Sequence, residues 1–264
     1  QTGSLEVPTV VRLIRKGDLV LSQERFAKID RMFNPQSVAV VGASAKKGGV
    51  GNDVLLNLIK DYKGTIYPVN PKGGEIEGLQ AYTQLSEIPG DVDLVLVLVN
   101  AKFVPDVVDQ AIEKKVAGIV IISAGFKEVS HEGAEIEKAM AEKARQAGIP
   151  LVGPNCLGVI NAEVGLNASF ASKICQQGNL AFISQSGALC TSVLDFAEQR
   201  KMGFSKFVSF GNKSDVNETE LLQYLADDPK TAAIALYLED IADGKGFIEI
   251  ASKIFWEKGK VILC

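Results

Sequence analysis

The sequence is almost without histidine. His131 is the single one in 264 residues, which leaves little room for histidine acid–base catalysis or a histidine-rich metal centre. Cysteine is sparse and scattered: Cys156, Cys175, Cys190 and Cys264 show no CxxC and no Cys/His spacing. The thiols therefore read as buried or incidental in a reducing compartment, and no metal is expected. An excess of basic charge is also missing. The net charge of −4 argues against nucleic acid or an anionic membrane as a partner. No long apolar run opens the chain, so neither a signal peptide nor a spanning helix is expected. The expectation is a soluble, cytoplasmic protein.

What is present is globular composition, 47% hydrophobic and 23% charged, long enough for two modest α/β domains. Residues 1–33 read as an N-terminal extension, with Phe26, Ile29 and Phe33 on one face of a helix over Gln23–Phe33 that Pro35 stops. β-Branched runs then alternate with amphipathic helices, the signature of βαβ units and a parallel sheet. Strands are expected at Val38–Gly42, Thr65–Asn70, Leu94–Val99, Gly118–Ser123 and Pro150–Gly153. Pro68 gives the second of these an edge-like or locally bent path. Ser130 reads as the N-cap of a helix reaching Ala147. Residues 161–177 lack clear periodicity, and a second series comes after them, with strands at Leu180–Ser184, Phe207–Phe210, Ala233–Leu238 and Val261–Leu263. The expected boundaries are 34–156 for the first domain and 157–264 for the second.

Five places carry candidate chemistry, each at a strand's C-terminal end, where open parallel sheets hold ligands. The first is the glycine-rich turn Gly42-Ala43-Ser44 with Gly48, Gly49, Gly51 and Asn52, suited to backbone contact with a pyrophosphate at a helix start. The second, Asn70-Pro71-Lys72-Gly73-Gly74, places a lysine where a NAD site would carry an acidic residue for the ribose. That points away from NAD and leaves NADP or coenzyme A, with a solvated turn as the plain reading. The third is Gly153-Pro154-Asn155-Cys156-Leu157-Gly158, either a site edge or a structured connection. With no histidine near it, Cys156 is not expected to act as a nucleophile. The fourth, Ser184-Gln185-Ser186-Gly187, opens a helix and suits a phosphate. The fifth is Glu239, a site carboxylate or, with Asp240, the N-cap of the next turn. His131 reads as an exposed first-turn residue.

Taken in order, FNPQSVAVVGAS, YPVNPKGGEIEG, VDLVLVLVNA, GIVIISAGF, GPNCLGVIN, NLAFISQSGAL, SFGNKSDVNETELLQYLADDP and IALYLEDIADG run from Phe33 to Gly244. Jointly they resemble the α-type part of the NDP-forming acyl-CoA synthetases, relatives of succinyl-CoA synthetase. The resemblance implies a Rossmann-like CoA-binding domain followed by a flavodoxin-like, doubly wound domain. It implies an acid–thiol ligase that interconverts acyl-CoA, NDP and phosphate with free acid, CoA and NTP through an acyl phosphate and a phosphohistidine. By that pattern Gly42, Ser44, Gly49, Gly51, Asn52, Asn70, Lys72, Asn100 and Ser123 face coenzyme A. Asn155 lies by the thiol and acyl-phosphate site. Ser184, Ser186 and Gly187 hold the histidine-borne phosphate, and Glu239 orients the phosphohistidine.

The family's Ser-His-Thr-Gly loop comes after the strand matching Lys260–Cys264, and this sequence stops before it. The expectation is a chain inactive by itself. ATP or ADP would act through an ATP-grasp domain or subunit, and the chain would associate into an oligomer. A CoA-sensing module of a larger protein, such as a protein acetyltransferase, is the alternative; the intact Ser184, Ser186 and Glu239 favour the ligase. An NADP oxidoreductase lacks any evident hydride-transfer constellation.

Overall fold

The computed structural model describes residues 21–264; most of the expected extension, residues 1–20, lies outside the described residues. The first unit is a five-stranded parallel sheet built from β1 (Ser37–Val41), β2 (Thr65–Val69), β5 (Leu94–Val97), β6 (Gly118–Ile121) and β7 (Leu151–Val152). Its order is β2-β1-β5-β6-β7. β1, β5, β6 and β7 are buried along their whole length, as uninterrupted apolar strands covered on both faces must be. β2 takes the edge that Pro68 implies, because proline cannot donate to a second neighbour. A two-stranded hairpin, β3 (Gly74–Ile76) and β4 (Leu79–Ala81), comes directly after β2. Helices α2 (Val50–Asp61), α3 (Val104–Glu113) and α4 (His131–Gln146) complete the unit. The expected cap of α4 is present: Ser130 Oγ accepts from the Gly133 amide at 3.0 Å.

The second sheet has six strands in the order β13-β12-β10-β11-β8-β9. β10 (Gln176–Ser184), β11 (Gly203–Ser209), β12 (Ala233–Tyr237) and β13 (Val261–Leu263) are mutually parallel. Helices α5 (Gly187–Arg200), α6 (Glu218–Asp227) and α7 (Gly244–Lys253) accompany them. The stretch without periodicity, 161–177, contains β9 (Leu166–Ser169), which forms an antiparallel hairpin with the preceding β8 (Gly158–Asn161) on the edge of this sheet. Both of its strands are buried on both faces, so no apolar–polar alternation is left to read. Its buried polar side chains are paired instead, Asn161 Nδ2 with the Phe33 carbonyl at 3.0 Å and Ser169 Oγ with Asn167 Oδ1 at 2.6 Å.

One hydrophobic core joins the sheets. Val54, Leu55 and Leu58 of α2 share it with Val159, Leu166 and Val208 of the second sheet. The helix α1 (Gln23–Phe33) belongs to the same core. Ile29, Met32 and Phe33 are fully buried. Phe33 stacks on Tyr224 of α6 with ring centroids 5.2 Å apart. A Cβ on Gly118 would meet the Met32 side chain at 2.8 Å, so β6 offers α1 a surface only glycine leaves open. Arg25 reaches Asp215 at 2.9 Å and Glu220 at 2.8 Å in the second unit. Among the described residues no helix is long and apolar enough to cross a membrane.

Candidate functional site

In the first sheet β1 lies between β2 and β5, so the chain leaves it in opposite directions and opens a crevice beyond the strand ends. The glycine turn fills that position. Gly42 has φ +98°, and its amide donates to the Val69 carbonyl at 3.0 Å. A Cβ there would lie 2.8 Å from the Leu98 carbonyl oxygen, so only glycine serves. Gly49 is the N-cap of α2 without a side-chain hydrogen bond, which leaves the helix start open to an anion. Gly51 packs against the Gly42 carbonyl, with no room for a side chain.

Asn52 lies beneath this turn. It is buried, and its Nδ2 donates to the Ser44 carbonyl and to Glu77 Oε1, both at 2.8 Å. It therefore holds the turn in shape from behind and ties it to the β3–β4 hairpin. Ser44 Oγ accepts from the Lys46 amide at 3.0 Å. Asn70 Nδ2 donates to the Ala43 carbonyl at 2.9 Å, while its Oδ1 accepts from the Lys72 amide at 3.0 Å. Lys72 is left exposed at the tip. Asn100 caps the short turn Ala101–Phe103, and Ser123 Oγ donates to the Val99 carbonyl at 2.5 Å.

Asn155 stands where the two units meet. It adopts φ +56°, a conformation asparagine tolerates better than most residues, and its amide donates to the Ser123 carbonyl at 2.9 Å. The loop after β11 closes on it from the second unit. Gly211 packs on the carbonyls of Pro154 and Asn155 so closely that a Cβ would overlap them. The Asn212 amide donates to the Pro154 carbonyl at 2.9 Å, and Ser214 Oγ to the Gly153 carbonyl at 2.9 Å. Cys156 is buried and donates to the Ile121 carbonyl at 3.2 Å; burial pushes its thiol up to about 12. That is the setting of an inert thiol.

In the second sheet β10 lies between β11 and β12, the two parallel strands that follow it in sequence. Its end carries the phosphate candidates. Ser184 is buried, and its Oγ accepts from the Ser186 amide at 3.0 Å. Ser186 caps α5 through the Leu189 amide at 3.3 Å. Gly187 opens the helix, and a Cβ on it would meet nothing within 4 Å. Gln185 fastens this turn to the next strand end. Its Oε1 accepts from the amides of Glu239 at 2.7 Å and Asp240 at 3.2 Å, and its Nε2 donates to Asp240 Oδ1 at 2.5 Å. From below, Lys213 Nζ donates to the Asp240 carbonyl at 2.8 Å and pairs with buried Glu218 at 2.9 Å. The Gln185 amide and Lys213 hold the Asp240 carboxyl below the ordinary carboxylate range. Glu239 itself is exposed on the same edge as Gly187. His131 is the exposed first residue of α4, in the other unit. Among the described residues no cluster of metal-ligating side chains occurs.

Sequence reasoning did not single out Gln185, Asn212 or Lys213, although all three lie inside the motifs of the resemblance. The available signal was position: each comes just after a strand of the parallel set, where side chains face the ligand edge.

Residues 36–162 match the CoA binding domain family, and residues 177–264 match the succinyl-CoA ligase like flavodoxin domain family. The chain is 44% identical over 235 residues to the ADP-forming acetate–CoA ligase I of Archaeoglobus fulgidus, covering 89% of this chain and 34% of that protein. It is 43% identical over 235 residues to the alpha subunit of the ADP-forming acetate–CoA ligase II of Pyrococcus furiosus, covering 89% and 51%. Among solved structures, the dinucleotide-forming acetyl-coenzyme A synthetase 1 of Candidatus Korarchaeum cryptofilum, in complex with phosphate and ADP, is similar with a TM-score of 0.82 at 39% identity. That match covers 86% of this chain and 49% of the other. The chain thus spans between a third and about half the length of these relatives.

Proposed function

The chain belongs to the NDP-forming acyl-CoA synthetase family, matching its α-type portion, and we propose that it binds coenzyme A on its first sheet and handles phosphate on its second. The whole protein is then an acid–thiol ligase that interconverts acyl-CoA, NDP and phosphate with acid, CoA and NTP. It works in the cytoplasm, and an ATP-grasp domain or subunit supplies the nucleotide chemistry.

One observation carries this reading: Gln185 ties the Ser184–Gly187 turn to the Glu239–Asp240 turn, which sets the start of α5 beside the exposed Glu239. A phosphate there meets the free amides of α5, while Glu239 can accept from a protonated imidazole nitrogen brought to the same place. A sensor of coenzyme A has no use for that pairing.

The first unit, taken as 34–156, fits coenzyme A. Gly42 and Gly51 let the turn fold tightly on the Leu98 and Gly42 carbonyls, and with Ser44 and Gly49 they offer backbone to a pyrophosphate. Lys72 is exposed for a phosphorylated ribose, and no acidic side chain stands at the end of β2 to hold a free ribose diol. Asn70 and Asn52 shape the turn, and Asn100, Ser123 and Asn155 continue the same edge towards the unit 157–264. Bound coenzyme A supplies the thiol that takes the acyl group; this chain's residues hold it and orient it.

Calorimetric titration of the 264-residue chain with CoA, NADP and NAD, alongside Lys72→Ala, tests the assignment. CoA should bind in the micromolar range and weaken roughly tenfold in the variant, since a charge-assisted phosphate contact contributes about 1.5 kcal/mol or more. Binding of NADP with silence towards CoA would overturn it.

A further inference from the structure

The seam between the units contains an amide whose orientation is dictated by its neighbours. Asn212 Nδ2 donates to Glu128 Oε2 at 2.8 Å and to Glu137 Oε2 at 2.7 Å. Burial raises the Glu137 carboxyl, whereas at Glu128 burial is outweighed by the Gly125 amide and Asn212, which hold the carboxyl below the ordinary range, so Glu128 is the ionised partner. An ionised carboxylate only accepts, so the nitrogen end of Asn212 must face it. Asn212 Oδ1 is then turned the other way, where it lies 3.3 Å from Asn155 Nδ2. An amide oxygen likewise only accepts, so Asn155 must present its nitrogen to Asn212. Asn155 is exposed, and among the described residues its own Oδ1 accepts no hydrogen bond.

We propose that Asn212 is the positioning residue that fixes the Asn155 amide, leaving Asn155 Oδ1 as a hydrogen-bond acceptor turned to the thiol end of bound coenzyme A. The inference rests on the CoA reading above and adds to it a direction: the site receives a donor at this point, with no donor of its own offered in return. The arrangement spans both units, since Glu128, Glu137 and Asn155 come from the first and Asn212 from the second. Asn212 is itself fixed, because its amide donates to the Pro154 carbonyl at 2.9 Å and its carbonyl accepts from Lys127 Nζ at 2.5 Å.

Two CoA analogues read the orientation. Amino-CoA carries an ammonium in place of the thiol and can only donate; desulfo-CoA carries hydrogen there and can do neither. Calorimetry on the full 264-residue chain should show amino-CoA bound about three- to tenfold more tightly than desulfo-CoA, the range expected of one hydrogen bond. The preference should vanish in Asn155→Ala. In Asn212→Ser it should fall to about a third or less, because the Asn155 amide is released to turn. In Asn212→Ser the desulfo-CoA affinity should stay within about twofold of wild type, which reports an intact fold and which a merely structural role for Asn212 would not leave untouched. Equal binding of the two analogues by the wild type would overturn the acceptor assignment while leaving the CoA reading standing. An undiminished preference in Asn212→Ser would overturn the positioning role. Failure of the wild type to bind CoA at all would remove the CoA reading, and the inference with it.

Discussion

The amide of Glu239 donates to Gln185 Oε1 at 2.7 Å, so two turns at the ends of different strands are locked to one another by a single side chain. Gln185→Ala removes three hydrogen bonds at once and leaves the amides of Glu239 and Asp240 to water. Because the turn is exposed, global stability should fall by only about 1 kcal/mol. Amide exchange at Glu239 and Asp240, followed by mass spectrometry, should speed up about tenfold or more. Unchanged exchange would mean that Lys213 alone holds the turn.

The glycine turn offers a contrast between two positions. Gly51→Ala sets a Cβ against the Gly42 carbonyl, which only a shift of the helix start can relieve. The expected cost is about 1–3 kcal/mol, with weakened CoA binding. Gly48→Ala meets nothing within 4 Å and bears only its left-handed φ of +73°. It should cost about 1 kcal/mol and spare the helix start. Thermal unfolding and CoA titration of both variants check the ordering.

Asp215 is a buried carboxylate that serves three donors: Arg25 at 2.9 Å, the Leu151 amide at 3.0 Å and Arg145 at 3.0 Å. Asp215→Ala leaves the buried Leu151 amide without its acceptor and takes from Arg25 one of its two carboxylate partners, Glu220 remaining. Denaturant unfolding should show a loss of about 3 kcal/mol, the usual consequence of removing one partner of a buried pair. Arg145 is largely exposed and should contribute little to it.

The thiols should separate by pH. Burial pushes Cys156 and Cys175 up to about 12 and Cys190 up to about 11, whereas Cys264 is exposed. Only the thiolate reacts, and at about pH 8 a thiol at about 12 is ionised to roughly one part in ten thousand. Iodoacetamide at that pH should therefore label Cys264 first and leave Cys156 untouched until the protein unfolds. Each unit of pH added should raise the slow rates about tenfold, since these groups lie far below half-ionisation. Rapid native labelling of Cys156 would mark an activated thiol.

The parallel strands of both sheets were legible because β-branched runs such as Val38–Val41 and Leu94–Val97 have no other sensible reading. Ser130 was legible as a cap because that chemistry is local. The β8–β9 hairpin was not, since burial on both faces erases its period. Nor was the bridge from Asn155 to Asn212: its partners lie 57 residues apart in sequence. Gln185 sat inside a recognised motif, yet its role depends on Glu239, a full βαβαβ excursion further along the chain. Local windows report elements; they do not report which strand ends become neighbours.

The helix α1 has a consequence for the order in which the protein takes shape. Among the described residues it precedes every strand, but Phe33 stacks on Tyr224 and Arg25 pairs with Asp215. On the ribosome, the first sheet can assemble as soon as β7 has emerged, yet one flank of α1 must then wait for about seventy more residues. At roughly 5–20 residues per second that interval lasts several seconds. During it, Phe33 and Phe26 lack the Tyr224 ring against them, and the nascent chain carries an uncovered apolar face that only its own later synthesis can close.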